Sequence, residues 1–317
     1  MRRVALLLAA LGLLTACGAP DKPVDLAVVT AVDRPAPDGY TPAQKPTAGS
    51  QAPNCGDPTV SLRPGGLAVT GTMAKIKERG RLIAGVDQNT FLFGFRNPET
   101  NNLEGFDIDM AKQVAKAIFG DENKVQFRVI ASRDREDVLT KGEVDIVVRT
   151  YTINCDRLQK IAFSSVYYST GQRVLVDKSS QVKGIEELAG KKVCATAGST
   201  SLTQIANNPA KPVAMSVVNW SDCLVLLQQG QVAAVSTDEP ILAGMAAQDP
   251  NVKIVGPKLT DEPYGIGIPK ANTDMVRFVN AVLDKIRGDG TWQRSYDQWV
   301  GSRTGESASP PSPKYRD

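Results

Sequence analysis

Two arginines and several hydroxyl side chains follow directly on an apolar run, in residues 149–157, whose sequence is Arg-Thr-Tyr-Thr-Ile-Asn-Cys-Asp-Arg. The preceding residues 144–148 have the composition of a buried strand, so residues 149–157 are expected to form the loop and first helical turn at its carboxyl end. The guanidinium of Arg157 matches a carboxylate in bidentate fashion, and Thr150 and Thr152 add further donors. The segment therefore predicts an anion site, against the alternative that Arg157 merely covers a helix surface.

Two other predicted strands end in residues of complementary chemistry. Residues 198–201, Gly-Ser-Thr-Ser, follow the predicted strand 193–195 and open a helix, and a small turn of this kind can approach an anion closely. Asp238 follows the predicted strand 233–235, where its carboxylate suits an ammonium group. In open α/β sheets, ligands sit beyond the carboxyl ends of the strands. An arginine for a carboxylate and an aspartate for an ammonium together match the head group of an α-amino acid.

The composition excludes several kinds of site. The 317 residues include no histidine, which rules out Ser–His–Asp and Cys–His catalysis and histidine-ligated zinc, although carboxylate, lysine or tyrosine catalysis stays possible. The net charge is +3, from 37 basic and 34 acidic residues, with no basic block along the chain, so no nucleic-acid partner is expected. No cofactor and no metal are predicted.

Alternating strands and helices must position these residues. The length allows two ordinary domains, and regular alternation starts at Met73. In chain order, the predicted segments are strand 81–86, helix 107–118, strands 125–129 and 144–148 separated by helix 134–141, strand 192–195, helix 201–207, strand 215–218, helix 221–229, strand 233–235, and helices 274–286 and 291–299. This alternation predicts the α/β class with mainly parallel strands.

The first residues have the pattern of an export signal. A cationic start at residues 1–3 precedes an apolar run of eleven residues, 4–14, and the sequence Leu-Thr-Ala-Cys ends at Cys17. Residues 1–16 therefore indicate a signal peptide, and the ending resembles a bacterial lipobox, in which Cys17 would carry the acyl chains (palmitate). The alternative is an ordinary secretion signal with a chance cysteine. The lipobox predicts an extracytoplasmic protein anchored to the cell membrane by lipid.

Low-complexity segments flank the predicted body of the protein. Residues 17–72 are expected to be a tether, because residues 18–66 contain nine prolines and show no sustained periodicity. Residues 302–317 are rich in serine and proline and are predicted to be a disordered tail.

Four cysteines remain after Cys17: Cys55, Cys155, Cys194 and Cys223. An even number in an exported protein suggests two disulfides, and four cysteines allow three pairings. The pairing Cys194–Cys223 with Cys55–Cys155 is favoured because the first pair lies within one proposed domain. The alternative is four free buried thiols.

Several motifs in order give the chain a family resemblance. They are Gly-Phe-Asp-Ile-Asp at 105–109, Thr-Tyr-Thr-Ile at 150–153 with Arg157, Phe-Ser at 163–164 with Tyr167 and Tyr168, Gly-Ser-Thr-Ser at 198–201, Tyr-Gly-Ile at 264–266, and Asp-Gly-Thr-Trp at 289–292 with Trp299. Together they resemble the bacterial extracellular solute-binding proteins of family 3, the polar amino-acid receptors of ABC transporters. The resemblance covers residues 73–301.

That resemblance implies a two-lobed, periplasmic-binding-protein-like fold of type II, with two hinge strands and closure on the ligand. The first lobe would comprise residues 73–167 plus 265–301, and the second lobe residues 172–259.

The resemblance also assigns roles to the residues of an amino-acid site. Arg157 matches the clamp on the α-carboxylate, and Thr152 the residue that assists it. The backbone carbonyl of Thr150 would meet the ammonium, and Asp238 would pair with the same group. Phe106 matches an aromatic residue that packs on the ligand.

Other positions would contact the carboxylate from the second lobe or recognise the ligand's side chain. The carboxylate contacts of the second lobe are matched by Ser199 and Thr200. The positions that recognise the ligand's side chain are matched by Asp87, Thr196 and Arg149. An extra cation at Arg149 favours glutamate, aspartate, asparagine or glutamine as ligands. The alternative is that Arg149 pairs with Asp87 structurally and never touches the ligand.

The resemblance implies a binding protein, not an enzyme. A monomer would capture an amino acid, close its lobes, and present the ligand to the permease of an ABC transporter or to a membrane sensor. Two alternatives stay open: an exported dehydratase-type enzyme on the same fold, with Asp87 or Asp238 as general acid, and a purely structural lipoprotein.

Overall fold

The computed structural model describes residues 34–43, 54–305 and 307–317. Residues 1–16, predicted to be a signal peptide, and Cys17 lie outside the described residues. By their contacts, residues Ala36–Asp317 form one unit. Among the described residues, no helix combines the length and the apolar character that crossing a membrane requires.

Helices and strands alternate through most of the described chain. The α-helices are α1 (Gly71–Arg79), α2 (Phe106–Phe119), α3 (Arg135–Thr140), α4 (Cys155–Lys160), α5 (Thr200–Ala206), α6 (Trp220–Gln228), α7 (Glu239–Gln248), α8 (Thr273–Gly288), α9 (Thr291–Tyr296) and α10 (Ser302–Thr304). The strands are β1 (Thr41–Pro42), β2 (Val60–Leu62), β3 (Leu82–Val86), β4 (Asn89–Thr90), β5 (Gly94–Arg96), β6 (Leu103–Glu104), β7 (Val125–Val129), β8 (Ile146–Val147), β9 (Ile161–Phe163), β10 (Tyr168–Thr170), β11 (Gln172–Asp177), β12 (Lys192–Thr196), β13 (Val213–Val217), β14 (Ala234–Asp238), β15 (Val252–Val255), β16 (Glu262–Tyr264), β17 (Gly267–Pro269) and β18 (Lys314–Arg316).

The first lobe is built on a sheet of order β7-β3-β8-β17-β9. Strand β3 runs parallel to β7 and β8, whereas β17 runs antiparallel to β8 and β9. Helix α2 buries the apolar face predicted from its periodicity against this lobe's core, and it ends at Gly120, which takes the left-handed conformation (φ 75°) that favours glycine.

The second lobe is built on a sheet of order β1-β13-β12-β14-β11-β15. Strand β12 lies parallel to β13 and β14, and β11 lies antiparallel to β14 and β15. Both sheets are therefore mixed, and the expectation of mainly parallel strands needs correction. The antiparallel strands β11 and β17 follow directly on the segments that cross between the lobes, so they enter their sheets from the opposite direction.

Two strands connect the lobes. Strands β10 and β16 pair antiparallel, with Tyr168 opposite Tyr264 and Thr170 opposite Glu262. Each strand joins one sheet to the other, which gives the two crossing hinge strands of the predicted fold. The two-lobed α/β architecture is thus the one expected from the sequence.

The terminal segments are more ordered than predicted. Strand β18 pairs parallel with β2, so the expectation of a disordered tail over residues 302–317 is wrong for Lys314–Arg316. Within the predicted tether, β1 pairs with β13, β2 packs through Ser61 against Phe163 and Asn280, and α1 begins before residue 73. Local composition missed these contacts because the pairing partners lie far away along the chain.

Both favoured disulfides are present in the structure. Cys55 bonds to Cys155 and Cys194 bonds to Cys223, with Cα atoms 5.6 and 5.5 Å apart respectively. The first bond ties the segment before the lobes to the first residue of α4. The second joins β12 to α6 inside the second lobe.

Candidate functional site

A small polar cavity lies between the two lobes, at the carboxyl ends of their strands. The first lobe lines it with Ser132, Arg135, Thr150 and Thr152, and the second lobe with Ser199, Thr200, Ser201, Trp220, Asp238 and Ile241. Its volume is about 10 Å³, room for about one water molecule. The lobes are therefore closed on each other, and an amino-acid-sized ligand can enter only if they separate.

Arg157, on the short helix α4, is not among the residues that line this cavity, although it donates to one of them, Thr152. Asn154 caps the helix, because its side-chain oxygen accepts a hydrogen bond from the backbone N–H of Arg157 at 2.9 Å. The loop and first helical turn that the sequence predicts are therefore present. The buried guanidinium donates to the carbonyl oxygen of Thr152 at 2.6 Å and to that of Gly198, in the second lobe, at 3.2 Å. The central carbon of the Arg157 guanidinium, Cζ, lies 4.8 Å from the centre of the Tyr151 ring.

Arg135, which the sequence analysis did not single out, is a second buried cation in the site. Its hydrogen bonds go to backbone carbonyl oxygens, those of Ser132, Arg149, Thr150 and, at 3.1 Å across the cleft, Gly198. Burial, followed by the charge of Arg157, lowers the pKa of Arg135 to about 9. The site thus concentrates positive charge, which carbonyl dipoles and the carboxylate of Glu136, 3.9 Å from Arg157 Nε, only partly offset. The sequence position of Arg135 indicates this location, because Arg135 follows strand β7, whose carboxyl end lies at the same sheet edge as that of β8.

Asp238 is the buried acid of the second lobe. It ends β14 at the N-cap position of α7, where its side chain makes no capping hydrogen bond, and it is 4% exposed. Its Oδ2 accepts a hydrogen bond from the hydroxyl of Tyr264 on the hinge strand β16. Its Oδ1 has no hydrogen-bond partner in the described part of the chain. Burial, and next the charge of Glu262, raises the pKa of Asp238 to about 7. A buried acceptor without a donor thus lines the cavity.

Thr150 is held in an unusual backbone conformation. Its φ of 38° falls in the left-handed region, which residues other than glycine adopt only at a cost. Its N–H donates to Asp107 Oδ2 at 2.8 Å, and Asp107 Oδ1 accepts from the hydroxyl of Tyr167 at 2.6 Å. Burial raises the pKa of Asp107 to about 6. Asp107 therefore fixes the loop whose residues Thr150 and Thr152 line the cavity.

Arg149 and Asp87 form an ion pair with each other. Arg149 Nη2 lies 2.8 Å from Asp87 Oδ2, with the side chains 1% and 3% exposed, although the angles do not make this contact a hydrogen bond. Arg149 also donates to the carbonyl of Ile130 and to the hydroxyl of Ser132. Neither member of the pair is among the residues that line the cavity. This arrangement matches the alternative in which the two residues pair structurally.

Two other predicted contacts also lie outside the cavity lining. Thr196 is fully buried, and its hydroxyl donates to that of Ser132 at 3.2 Å across the cleft. Phe106, expected to pack on a ligand, is fully buried in the core of the first lobe, where it contacts Phe93 and Trp292 edge-on. The expectation for Phe106 is corrected because α2 begins at this residue and buries it. Trp220 and the aliphatic Ile241 line the cavity instead.

The remaining predicted residues of the second lobe line the cavity at the start of α5. The Ser199 hydroxyl accepts from the N–H of Leu202 at 3.0 Å and caps the helix. Thr200 donates to Glu262 Oε2 at 2.9 Å. One small space is thus lined by five of the predicted residues, Thr150, Thr152, Ser199, Thr200 and Asp238, and by Arg135, but not by Arg157. A carboxylate and an ammonium could both find charged partners there.

Comparison with known proteins assigns the chain to a family. The model of the family described as bacterial extracellular solute-binding proteins, family 3, matches residues 82–302. The ABC transporter glutamine-binding protein GlnH of Bacillus subtilis (strain 168) is 40% identical over 230 residues, covering 72% of this chain and 84% of that protein. The glutamate-binding protein GluB of Corynebacterium efficiens is 32% identical over 243 residues, covering 73% of this chain and 82% of that protein.

Solved structures agree on the fold. The solute receptor for L-cysteine of Neisseria gonorrhoeae superposes with a TM-score of 0.72 at 23% identity, over 76% of this chain and 98% of the receptor. At that identity the likeness concerns the fold alone. The family match, however, spans both lobes and the residues of the cavity. The chain therefore belongs to the bacterial extracellular solute-binding proteins of family 3.

Proposed function

We propose that the protein binds a polar amino acid, one of glutamate, aspartate, asparagine or glutamine, between its two closing lobes. The observation that carries the proposal is Asp238 Oδ1, which has no hydrogen-bond partner in the described part of the chain and belongs to a cavity that the buried Arg135 also lines. The buried guanidinium of Arg157 lies next to this lining, where it donates to the carbonyl of Thr152. Buried charged groups are costly unless they are paired. A zwitterion supplies a cation for Asp238 and an anion for an arginine at once.

Each charged group of the ligand has a partner in this proposal. The α-carboxylate binds Arg157 in place of the Gly198 carbonyl, assisted by Thr152, Ser199 and Thr200. The ammonium binds Asp238 Oδ1 and the carbonyl of Thr150.

Arg135 binds the side chain of the ligand in this proposal. The family resemblance had predicted Arg149 and Asp87 as residues that recognise the side chain. Since the hydrogen bonds of Arg135 within the described residues go to neutral carbonyl oxygens, a side-chain carboxylate is favoured over an amide. The relatives' names include both a glutamine-binding and a glutamate-binding protein.

The wider role follows from the family. We propose that the closed, loaded monomer presents its ligand to the permease of an ABC transporter or to a membrane sensor. The family description places its members outside the cytoplasm, and we propose that acyl chains on Cys17 hold this protein at the membrane. The family match gives no support to a dehydratase-type enzyme.

Thermal unfolding in the presence of each of the twenty common amino acids tests the function. A ligand that binds only the folded state raises Tm by mass action, so the four proposed amino acids should stabilise the protein and lysine, arginine and histidine should not. No stabilisation by any of the four, or stabilisation only by the cationic ones, would contradict the proposal. Turnover of prephenate or arogenate by the pure protein would instead support the enzyme.

Ligand binding should be linked to proton release below about pH 7. The pKa of Asp238 is raised to about 7 in the free protein, mainly by burial, so at pH 6 the carboxyl is mostly protonated. A bound ammonium favours the carboxylate and lowers this pKa, so binding must expel the proton and affinity falls as the pH drops from 8 to 6.

Calorimetry at pH 6 in two buffers of different ionisation enthalpy measures the protons released. Close to one proton is expected for the native protein and close to none for Asp238→Asn. Equal affinity at pH 6 and pH 8, with no proton released, would remove Asp238 from the ammonium site.

A further inference from the structure

Three tryptophans are buried or partly buried, and their indole N–H groups differ. The indole nitrogen of Trp292 donates to the carbonyl of Tyr167, and that of Trp299 to Asp109 Oδ2, both at 2.7 Å. The indole nitrogen of Trp220, which is 3% exposed, has no acceptor within the described part of the chain. A buried indole N–H usually has a partner, so the exception at Trp220 needs a physical reason.

Trp220 lies in the wall of the cavity. It is the first residue of α6, directly after β13, and it lines the same space as Asp238 and Arg135. In the sheet, β12 separates β13 from β14, and Asp238 ends β14. At a strand spacing of about 4.8 Å, the ends of β13 and β14 lie about 10 Å apart. Asp238 and Trp220 thus line one cavity from strands two places apart, a separation that the two ends of an amino acid can bridge.

The indole is held in place by the start of its helix. Asp222 Oδ2 accepts from both the backbone N–H and the side-chain nitrogen of Asn219, at 3.1 Å each, and the Asn219 side-chain oxygen accepts from Asn89 of the first lobe. One turn later, Cys223 is bonded to Cys194 on β12. The backbone at Trp220 is therefore fixed at both ends of this turn, which holds the residue in the wall of the cavity.

We propose that Trp220 is a specificity-determining residue whose indole N–H donates a hydrogen bond to an oxygen of the bound amino acid's side chain. This inference rests on the proposed function and adds a neutral donor from the second lobe to the cation Arg135 from the first. A side chain ending in a carboxylate or an amide supplies the acceptor, whereas an aliphatic or cationic side chain leaves the donor unpaired. Trp220 thus selects for an oxygen-bearing side chain.

The variant Trp220→Phe tests this role, because it keeps an aromatic ring and removes only the indole donor and the smaller ring. Calorimetry with L-glutamate, L-aspartate, L-glutamine and L-asparagine should show about tenfold weaker binding of the preferred ligand, equivalent to about 1.4 kcal/mol. L-Norvaline, which has no side-chain acceptor, should compete against the preferred ligand with its Kd changed less than twofold.

Trp299→Phe is the matched control. It removes an indole donor that is already bonded to Asp109, outside the cavity lining, so ligand affinity should stay within twofold of native while the ligand-free Tm falls. The ligand-free Tm of Trp220→Phe should fall less, because the donor it removes has no protein acceptor. An affinity of Trp220→Phe within twofold of native would overturn the assignment.

A second readout uses the native protein and does not depend on the folding of Trp220→Phe. In protein labelled with ¹⁵N-tryptophan, the Trp220 indole resonance, identified with Trp292→Phe and Trp299→Phe, should move downfield on addition of the preferred ligand. An unmoved resonance at saturation contradicts the hydrogen bond. If the native protein binds none of the four amino acids, the proposed function fails; if it binds one and both readouts are unchanged, only the role of Trp220 fails.

Discussion

Replacing Asp238 with asparagine is expected to weaken the binding of an α-amino acid by about 30- to 150-fold, or about 2–3 kcal/mol. The substitution removes the buried carboxylate whose Oδ1 has no hydrogen-bond partner among the described residues, and it leaves the ligand's ammonium desolvated without a counter-charge. Glutarate, which matches glutamate but has no ammonium, should lose less than threefold. Calorimetry, with glutarate measured by competition against glutamate, gives both ratios.

The control for Asp238→Asn is Asp261→Asn, which removes an exposed carboxylate that pairs with Lys258 on the surface of the protein. Its affinity should match that of the native protein. Equal losses for glutamate and glutarate in Asp238→Asn would mean that Asp238 acts on the shape of the site and not on the ammonium.

Replacing Arg157 with alanine is expected to cost about 2–3 kcal/mol of binding free energy for every amino acid that binds, independent of its side chain. The reason is that Arg157 would grip the α-carboxylate, which all of these ligands share. Arg157→Lys keeps the charge but loses the planar fork and should recover only part of the affinity. The ratio of Kd values between glutamate and glutamine should change little in either variant.

Lys141→Ala provides the control, since this exposed lysine pairs with the exposed Asp137 and lies outside the cavity lining. Near-native affinity in Arg157→Ala, measured in protein whose unfolding shows it to be folded, would refute the carboxylate clamp. A loss confined to acidic ligands would instead move Arg157 to the side-chain end of the site.

Local patterns in the sequence were sufficient to predict several helices and strands, and to identify Arg157 and Asp238 as partners for the head group of an amino acid. Periodicity placed α2 and α8, and an apolar run followed by Asn154 placed the turn that carries Arg157. Asp238 could be found in the same way, because a carboxylate at the end of a buried strand needs a partner. These signals depend on contacts between residues close together along the chain, so they can be read directly from the sequence.

Which strand-end residues meet in one cavity was decided by the tertiary structure. Arg149 and Asp87 both looked like recognition residues, but the packing of the first lobe pairs them with each other. Arg135 and Trp220 follow strands β7 and β13 and reach the cavity only because the two lobes close over it. A sequence gives the chemistry of each strand end, but not which charges neutralise each other once buried.

The sequence by itself thus determined the α/β class, the two lobes through their motifs, and a cation and an acid suited to an amino acid's head group. The tertiary structure alone decided the pairing of Arg149, the burial of Phe106, the strand at Lys314–Arg316, and the unpaired groups of Asp238 and Trp220. The physical reason is that desolvation and hydrogen-bond saturation depend on neighbours that are distant along the chain. Only folding determines which polar groups keep a partner and which remain for a ligand.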